Sequence, residues 1–177
     1  MPAAELQRAF ARIAFAILQE PEATFRTEAV LYQDFIVRCR IERLGGPSPA
    51  MAEFKFLLNG ARTGLDPETV DMEQWQGALE QARLVPADLQ AVFLILAGAA
   101  MTGQSCPSDP EIARRCGSHS GGRARSQIRH LQNADFVMTR VDMRGARIAV
   151  IPDLGWETGP GDPNAPAQDD RDLTAAE

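Results

Sequence analysis

Arginine, serine and histidine side chains recur along one short segment in the second half of the chain. They lie at Arg123, Arg125, Ser126, Arg129 and His130. A guanidinium group donates hydrogen bonds in a planar fork that matches phosphate oxygens and the major-groove edge of guanine. A serine hydroxyl and an imidazole add shorter-range hydrogen bonds. These residue types at this spacing indicate binding to a polyanion.

The same segment carries apolar residues that would hold such a helix in place. Ala124, Ile128 and Leu131 recur at intervals of four and three residues, which predicts one buried side of a helix from about 122 to 134. The arginines fall elsewhere around the helix axis. A helix anchored on one side and cationic on the other is what insertion into a DNA groove requires.

A second, shorter helix is predicted just before this one. Ser108 and Glu111 match the S-x-x-E capping box, in which each side chain satisfies a backbone N–H of the other residue. Cys116 and Gly117 end that helix, and the small residues 118–122 make a tight turn. Arg115 and Ser120, at the end of the helix and in the turn, are candidates for phosphate contacts.

A β-hairpin is predicted to follow the arginine-rich helix. Residues 136–141 and 146–151 are β-compatible runs around Asp142-Met143-Arg144-Gly145, which is turn chemistry. Three further arginines would sit on or near the tip of the hairpin, at Arg140, Arg144 and Arg147. There they would meet a phosphate backbone or a minor groove.

These segments together resemble the winged helix-turn-helix of bacterial transcription regulators. The resemblance rests on the short helix 111–117, on the run from Leu131 to Phe136-Val137, and on the Arg144-Gly145 turn. It covers about 65 residues if the helix from Pro86 is the first helix of the domain. The resemblance implies that double-stranded DNA is the partner and that the arginine-rich helix lies in the major groove. It also implies that Arg115 and Ser120 contact phosphates and that the hairpin arginines form the wing contact.

The whole chain is expected to be mainly α, with an N-terminal helical bundle, a winged helix-turn-helix of three helices plus a hairpin wing, and a disordered acidic tail. We predict boundaries at 1–85, 86–154 and 155–177. Five helices are expected before the short helix at Ser108. The first covers 3–19, the second begins at a cap at Thr24, the third covers 48–58, the fourth begins at Asp66, and the fifth, an apolar central helix, begins at Pro86. The N-terminal helices would form a homodimer, since paired half-sites raise DNA specificity.

Charge separates these regions. The chain of 177 residues has a net charge of −6, but residues 106–151 carry eight arginines against four acids, a net +4. Residues 1–105 carry −4, and the residues after 151 carry −6. A local cationic surface on an acidic protein favours an anionic partner.

Other functions have weaker support in the sequence. Cys106, Cys116, His119 and His130 could be combined into a zinc site, but their spacing fits no usual pair of metal clamps. No common catalytic motif is present, so we expect no enzyme activity and no cofactor. The main alternative is a winged helix that docks a protein in a replication, phage or other assembly.

The location of the protein can also be predicted. The longest apolar run, 91–101, is too short to span a bilayer, so no membrane association is expected. Three scattered cysteines make no disulfide framework and fit a reducing cytoplasm. A DNA-binding protein there would associate with the nucleoid. A small-molecule effector is left open, because a helical bundle can hold an apolar ligand between its helices.

Overall fold

A computed structural model describes residues 1–168. Within them the protein is mainly helical, with seven α-helices and one small antiparallel sheet, as the sequence predicted. The helices are α1 (Ala3–Leu18), α2 (Glu28–Ile41), α3 (Met51–Ala61), α4 (Met72–Ala82), α5 (Gln90–Met101), α6 (Asp109–Arg115) and α7 (Gly121–Asn133). The strands are β1 (Met138–Val141), β2 (Arg147–Ile151) and β3 (Trp156–Glu157).

Helices α1, α2 and α3 enclose the first of two hydrophobic clusters. Phe10, Ile13 and Ile17 of α1 are buried against Phe35 of α2 and Phe54 of α3. Phe35 lies between the other two rings, with centroid distances of 6.0 Å to Phe10 and 4.9 Å to Phe54. This packing confirms the helix predicted over 3–19 and shows which of its residues face the core.

Helix α5 is the centre of the second cluster. Residues 92–97 are all buried there, as the nearly uniform apolar sequence predicted. Trp75 and Ala78 of α4 belong to the same cluster, together with Ile128 of α7 and Ile151 of β2. Helix α4 therefore packs with the C-terminal region, so the hydrophobic clusters do not separate at residue 85, where we predicted a domain boundary.

The third helix begins at Met51 and ends at Ala61, three residues later at each end than the predicted range 48–58. Two predicted helix caps are also displaced. Thr27, not Thr24, caps α2, with its Oγ1 accepting a hydrogen bond from Val30 N at 3.3 Å. Residues 23–25 form a 3-10 turn instead. Asp71, not Asp66, caps α4, because the backbone from Asp66 to Val70 closes on itself as a turn. In both cases a second capping residue lies three to five positions downstream and starts the longer helix.

Helices α6 and α7 are joined by the short turn 116–120. Ser108 caps α6 by accepting a hydrogen bond from Glu111 N at 3.1 Å, as predicted. Glu111 does not return the hydrogen bond to Ser108, because its carboxylate binds Arg114 and Arg115 instead. Ser120 caps α7 by accepting from Arg123 N at 3.1 Å. Both helices therefore begin at a capping serine. The cap at Ser108 was predicted, whereas Ser120 had been expected to contact phosphate and not to cap α7.

The sheet has three strands in the order β1-β2-β3. Strands β1 and β2 pair antiparallel with Met138 opposite Val150, which confirms the predicted hairpin. The prediction of a disordered chain from residue 155 is wrong for the part that the structure describes. Trp156 pairs with Ile151, Thr158 is buried, and Gly161 exchanges two backbone hydrogen bonds with Arg147. The part of the predicted tail from 169 to 177 lies outside the described residues.

Contacts between the N-terminal helices and the α6–α7 turn connect the two clusters. The Arg62 guanidinium at the end of α3 donates to the carbonyl oxygen of Arg115 at 2.9 Å. The ring of His119 stacks on Phe25 at 4.5 Å. Gly117 has a φ of +74°, and a Cβ there would lie 2.2 Å from the carbonyl oxygen of Thr24. Only glycine fits this close approach, so the turn is held against the first three helices.

Candidate nucleic-acid interface

Helix α7 is anchored on one side and open on the other. Ala124, Ile128 and Leu131 are buried, as predicted. Arg129 is exposed on the side opposite this stripe, where the helical repeat also places Ser126. Arg123 and His130 are exposed on one flank of the helix. The face of α7 that is open to solvent therefore contains most of the predicted contact residues.

Three exposed arginines of α7 and the β1–β2 turn have no ion-pair partner among residues 1–168. Arg123 and Arg129 of α7 and Arg144 of the β1–β2 turn are exposed, and none has a carboxylate partner within residues 1–168. We call them the free arginine set. An exposed guanidinium without an internal ion pair keeps all its donors available to phosphate oxygens or base edges.

Another arginine of α7, Arg125, belongs to an ion-pair cluster around a buried aspartate. Asp109, at the start of α6, is 2% exposed, and its two carboxylate oxygens accept from Arg125 Nε at 3.1 Å and Arg147 Nη1 at 2.7 Å. We call these three residues the Asp109 cluster. It ties α6 to α7 and to β2, so it fixes the position of the hairpin relative to the arginine-rich helix.

Arg147 is therefore placed differently from the prediction. It is buried, and its second terminal nitrogen donates to the carbonyl oxygen of Pro107 at 2.7 Å. Burial acts to lower the pKa of Arg147, but the nearby Cys106 and the hydrogen bond to Asp109 outweigh it, and the pKa is raised. Its Nε has no hydrogen-bond partner. A buried guanidinium with these partners holds β2 in place and is not exposed to DNA.

Arg115 is also engaged within the protein. Its Nε donates to Glu111 at 3.0 Å, and its Nη1 donates to the carbonyl oxygen of Thr63 at 3.0 Å. The same Glu111 carboxylate accepts from Arg114 and from the backbone N of Gln168. Arg115 therefore connects α6 to the end of α3, and we leave it out of the interface together with Arg147.

Other predicted contact residues have a partner within the protein but remain exposed to solvent. Arg125 is 58% exposed despite its bond to Asp109, so part of its guanidinium faces solvent. Arg140 forms an exposed ion pair with Glu157 at 3.1 Å, which an external phosphate could replace. Ser120 is exposed, but its hydroxyl already caps α7. Thr139 of β1 donates to Gln132 of α7 at 3.1 Å, a second tie between hairpin and helix.

Two residues of this surface were missed by sequence reasoning. Asp109 was seen only as part of a helix start, although its buried carboxylate binds Arg125 and Arg147 beside this surface. Met143 was seen only as part of a turn, but it is fully exposed at the tip beside Arg144. The signal for Met143 was its apolar type at a position where turns usually carry polar residues.

The four residues considered for zinc do not come together. Cys106 is buried near Arg147, Cys116 is partly buried near Arg62, His119 stacks on Phe25, and His130 is exposed. Burial raises the pKa of the Cys116 thiol, although Arg62 acts against it. In the described part of the chain, no group of three or more His, Cys, Asp or Glu side chains is arranged to hold a metal ion.

Comparisons with known proteins give no family for this chain. No protein-family model, curated protein sequence or solved structure matches it. Across residues 1–168 we find no helix with the length and apolar character that crossing a membrane requires.

Proposed function

We propose that helices α5, α6 and α7 with the β1–β2 hairpin act as a winged helix-turn-helix that binds double-stranded DNA, and that the protein regulates transcription. The observation that carries this proposal is the free arginine set. Arg123 and Arg129 on the anchored helix and Arg144 at the hairpin tip have no carboxylate partner among residues 1–168, in a protein whose overall charge is negative. Unpaired cations concentrated on such a helix and hairpin suit DNA phosphates.

The placement of the side chains suggests a role for each. Arg129 and Ser126, opposite the buried stripe, would face base edges in the major groove, with His130 beside them. Arg123 and the exposed part of Arg125 would bind the flanking phosphates. Arg144, assisted by Arg140 after release from Glu157, would contact the backbone or minor groove next to the wing.

Dimerisation through the N-terminal helices belongs to the same proposal. Val30, Val37 and Ile41 are exposed on α2, at 54%, 50% and 73%, and their spacing of seven and four residues places them along one stripe. A second copy of this stripe would cover it. Sedimentation analysis of Val37→Glu tests this point, because a charge in that interface should shift a dimer to a monomer. Gln74→Glu, at an exposed position of α4 away from the stripe, should not.

Salt-dependent DNA binding tests the central proposal. Fluorescence anisotropy with a random-sequence duplex should give an affinity that falls linearly with salt concentration on a double logarithmic scale. Selection from a duplex library should then enrich a sequence whose discrimination weakens by about 1–3 kcal/mol in Arg129→Ala. An affinity that does not change with salt would contradict the proposal.

A second function, protein docking, is favoured by one feature of the hairpin. Met138, Val141 and Met143 are exposed apolar side chains at 58%, 67% and 104%. They lie on β1 and the following turn, and within residues 1–168 β1 pairs on one side only, with β2. A partner strand or an apolar surface could add to this edge. This function predicts that Met143→Ser abolishes partner binding, while removal of the free arginine set does not.

A further inference from the structure

A pocket lies between the N-terminal helices, away from the proposed DNA surface. It is bounded by α1, α3, α4 and the turn before α4, and its volume is about 670 Å³. Its walls are mostly apolar and include the aromatic rings of Phe56 and Trp75 and the side chains of Leu57, Leu65 and Leu79. This size and character fit a small organic molecule.

One wall of the pocket already holds a cation. The Arg83 guanidinium carbon lies 3.5 Å from the centre of the Phe56 ring, and Arg83 Nη2 forms an ion pair with Glu53 at 2.8 Å. A delocalised positive charge is thus bound between an aromatic face and a carboxylate, although the Arg83 side chain remains 51% exposed. The pairing leaves Arg83 and Glu53 with no net charge between them.

The other charges at the pocket are predominantly acidic. Glu73 and Glu80 of α4 line it and have no cationic partner among residues 1–168. Arg8 of α1 is the only lining cation, within the same residues, that lacks a carboxylate partner. Two unpaired carboxylates against one unpaired guanidinium leave the mouth of the pocket net negative, which favours a positively charged ligand over an anionic one.

We propose that this pocket binds a lipophilic cation, a molecule with an aromatic or branched apolar body and a delocalised or quaternary positive charge. The apolar body would fill the space between Trp75 and Leu57. The charge would lie near Glu73 and Glu80, where aromatic faces and carboxylates stabilise it together. The anionic counterpart of the same shape would meet like charges at that place.

The pocket is connected to the α6–α7 pair through the end of α3. Gly60 and Ala61 line the pocket, and the next residue, Arg62, donates to the carbonyl oxygen of Arg115 at the end of α6. A ligand that displaces the end of α3 would therefore shift α6 and with it α7. This part of the inference rests on the proposed DNA function, and it makes the lipophilic cation an effector of DNA affinity.

Two ions of equal shape and opposite charge test the site directly. In Trp156→Phe, Trp75 is the single tryptophan of the chain. Titration with tetraphenylphosphonium should quench Trp75 emission saturably, and tetraphenylborate should bind about fivefold more weakly or worse. Glu73→Gln combined with Glu80→Gln should remove most of that difference. Equal binding of the two ions, tighter binding of the borate, or no saturable quenching would overturn the proposal.

A steric pair of variants locates the ligand. Ala4 lines the pocket from the first turn of α1, whereas its exposed neighbour Ala3 does not. Ala4→Phe should weaken tetraphenylphosphonium binding about fivefold or more, and Ala3→Phe should leave it unchanged. Equal effects of the two substitutions would place the ion elsewhere and overturn the proposal.

The effect of the bound cation on DNA affinity is measured in a separate experiment. A saturating concentration of tetraphenylphosphonium should change DNA affinity by about fivefold or more, with a reciprocal change in the Trp75 titration when DNA is present. Quenching of Trp75 without any change in DNA affinity would reject the effector role and retain the site. If the protein binds no DNA at all, the proposed function fails, and the titration with the two ions still decides whether the pocket binds a cation.

Discussion

The Asp109 cluster and the free arginine set use the same residue type in opposite surroundings. Arg147 is buried, charged and held by a carboxylate and a carbonyl oxygen. Arg129, on the opposite side of α7 from its buried stripe, is exposed and has no carboxylate partner within the described residues. The first kind of arginine positions the helix and the hairpin, and the second is available to a ligand.

This difference shows that arginine content alone does not mark a binding surface. Of the predicted contact residues, Arg115 and Arg147 have internal partners that account for their charge, whereas Arg123, Arg129 and Arg144 have none in residues 1–168. Pairing with a carboxylate separates the two groups more clearly than position in the motif.

The largest expected effect comes from removing the carboxylate of the Asp109 cluster. Asp109→Ala leaves the buried Arg147 without a counter-charge, so the free energy of unfolding should fall by about 3–5 kcal/mol in urea denaturation. Asp109→Leu combined with Arg147→Leu should recover much of this loss, because no uncompensated charge is left buried. A loss below about 1 kcal/mol for Asp109→Ala would mean that the cluster does not hold the site together.

The second prediction concerns pH. Burial acts to raise the pKa of Glu111, but hydrogen bonds from Arg114 and Arg115 outweigh burial, and the pKa is lowered. Such a carboxylate contributes stability that is fully present above its unfolded pKa of about 4.3 and is lost as the pH falls through the folded value. Glu111→Gln should cost about 2 kcal/mol at neutral pH.

The pH dependence distinguishes this effect from a general loss of packing. Denaturation of Glu111→Gln should show a smaller further loss of stability on acidification than the wild type, since the titrating group is gone. Parallel acid profiles for the two proteins would contradict the assignment. Glu73→Gln is a matched control for the loss of one carboxylate, because Glu73 has no cationic partner in the described part of the chain.

A smaller effect is expected where α7 ends. Asp135 has a φ of +62° in the left-handed region, while Phe136 N donates to the carbonyl oxygen of Leu131 to close the helix. Glycine adopts this conformation without the steric cost of a side chain. Asp135→Gly should raise the free energy of unfolding by roughly 0.5–1 kcal/mol, and Asp135→Val should lower it. A destabilised glycine variant would contradict this account of the helix end.

The smallest effect is expected at the exposed ion pair of the hairpin. Arg140 and Glu157 are each 56% exposed, so Arg140→Ala should change the free energy of unfolding by less than about 1 kcal/mol. The contrast with Asp109→Ala measures how much burial adds to an arginine–carboxylate contact. Comparable losses of unfolding free energy in the two variants would contradict the distinction between arginines held by buried carboxylates and exposed arginines.

Local signals in the sequence were sufficient for much of the fold. Ser108, the stripe Ala124, Ile128 and Leu131, and the hairpin turn act within a few residues, so spacing alone predicted them. The third strand was missed because the turn 152–155 resembles the start of a polar tail. Trp156 was the available signal, since a large apolar residue in a polar segment usually packs against something.

The burial of Arg147 could not be read from the sequence with certainty. In a strand, alternate residues share a face, so Arg147 lies on the same face as Ala149 and Ile151, both buried. The other face carries Ile148 and Val150, which are also apolar. The pattern alone therefore does not show which face of β2 is buried. The choice depends on Asp109, which is 38 residues away in the chain. Partners at such separations are set by the tertiary fold.

The salt dependence of DNA affinity in two matched triple variants tests the central claim most directly. One replaces Arg123, Arg129 and Arg144 by alanine. The control replaces Arg8, Arg40 and Arg43, which are also exposed and without carboxylate partners in residues 1–168 but lie on α1 and at the end of α2. Both variants change the net charge equally, so any difference reports position.

We predict that the first variant loses most DNA affinity and that its logarithmic salt slope decreases by roughly 0.9 for each lost phosphate contact. The control should retain the wild-type slope. Equal slopes in the two variants, or an unchanged affinity after loss of Arg123, Arg129 and Arg144, would contradict the assignment of the free arginine set to DNA.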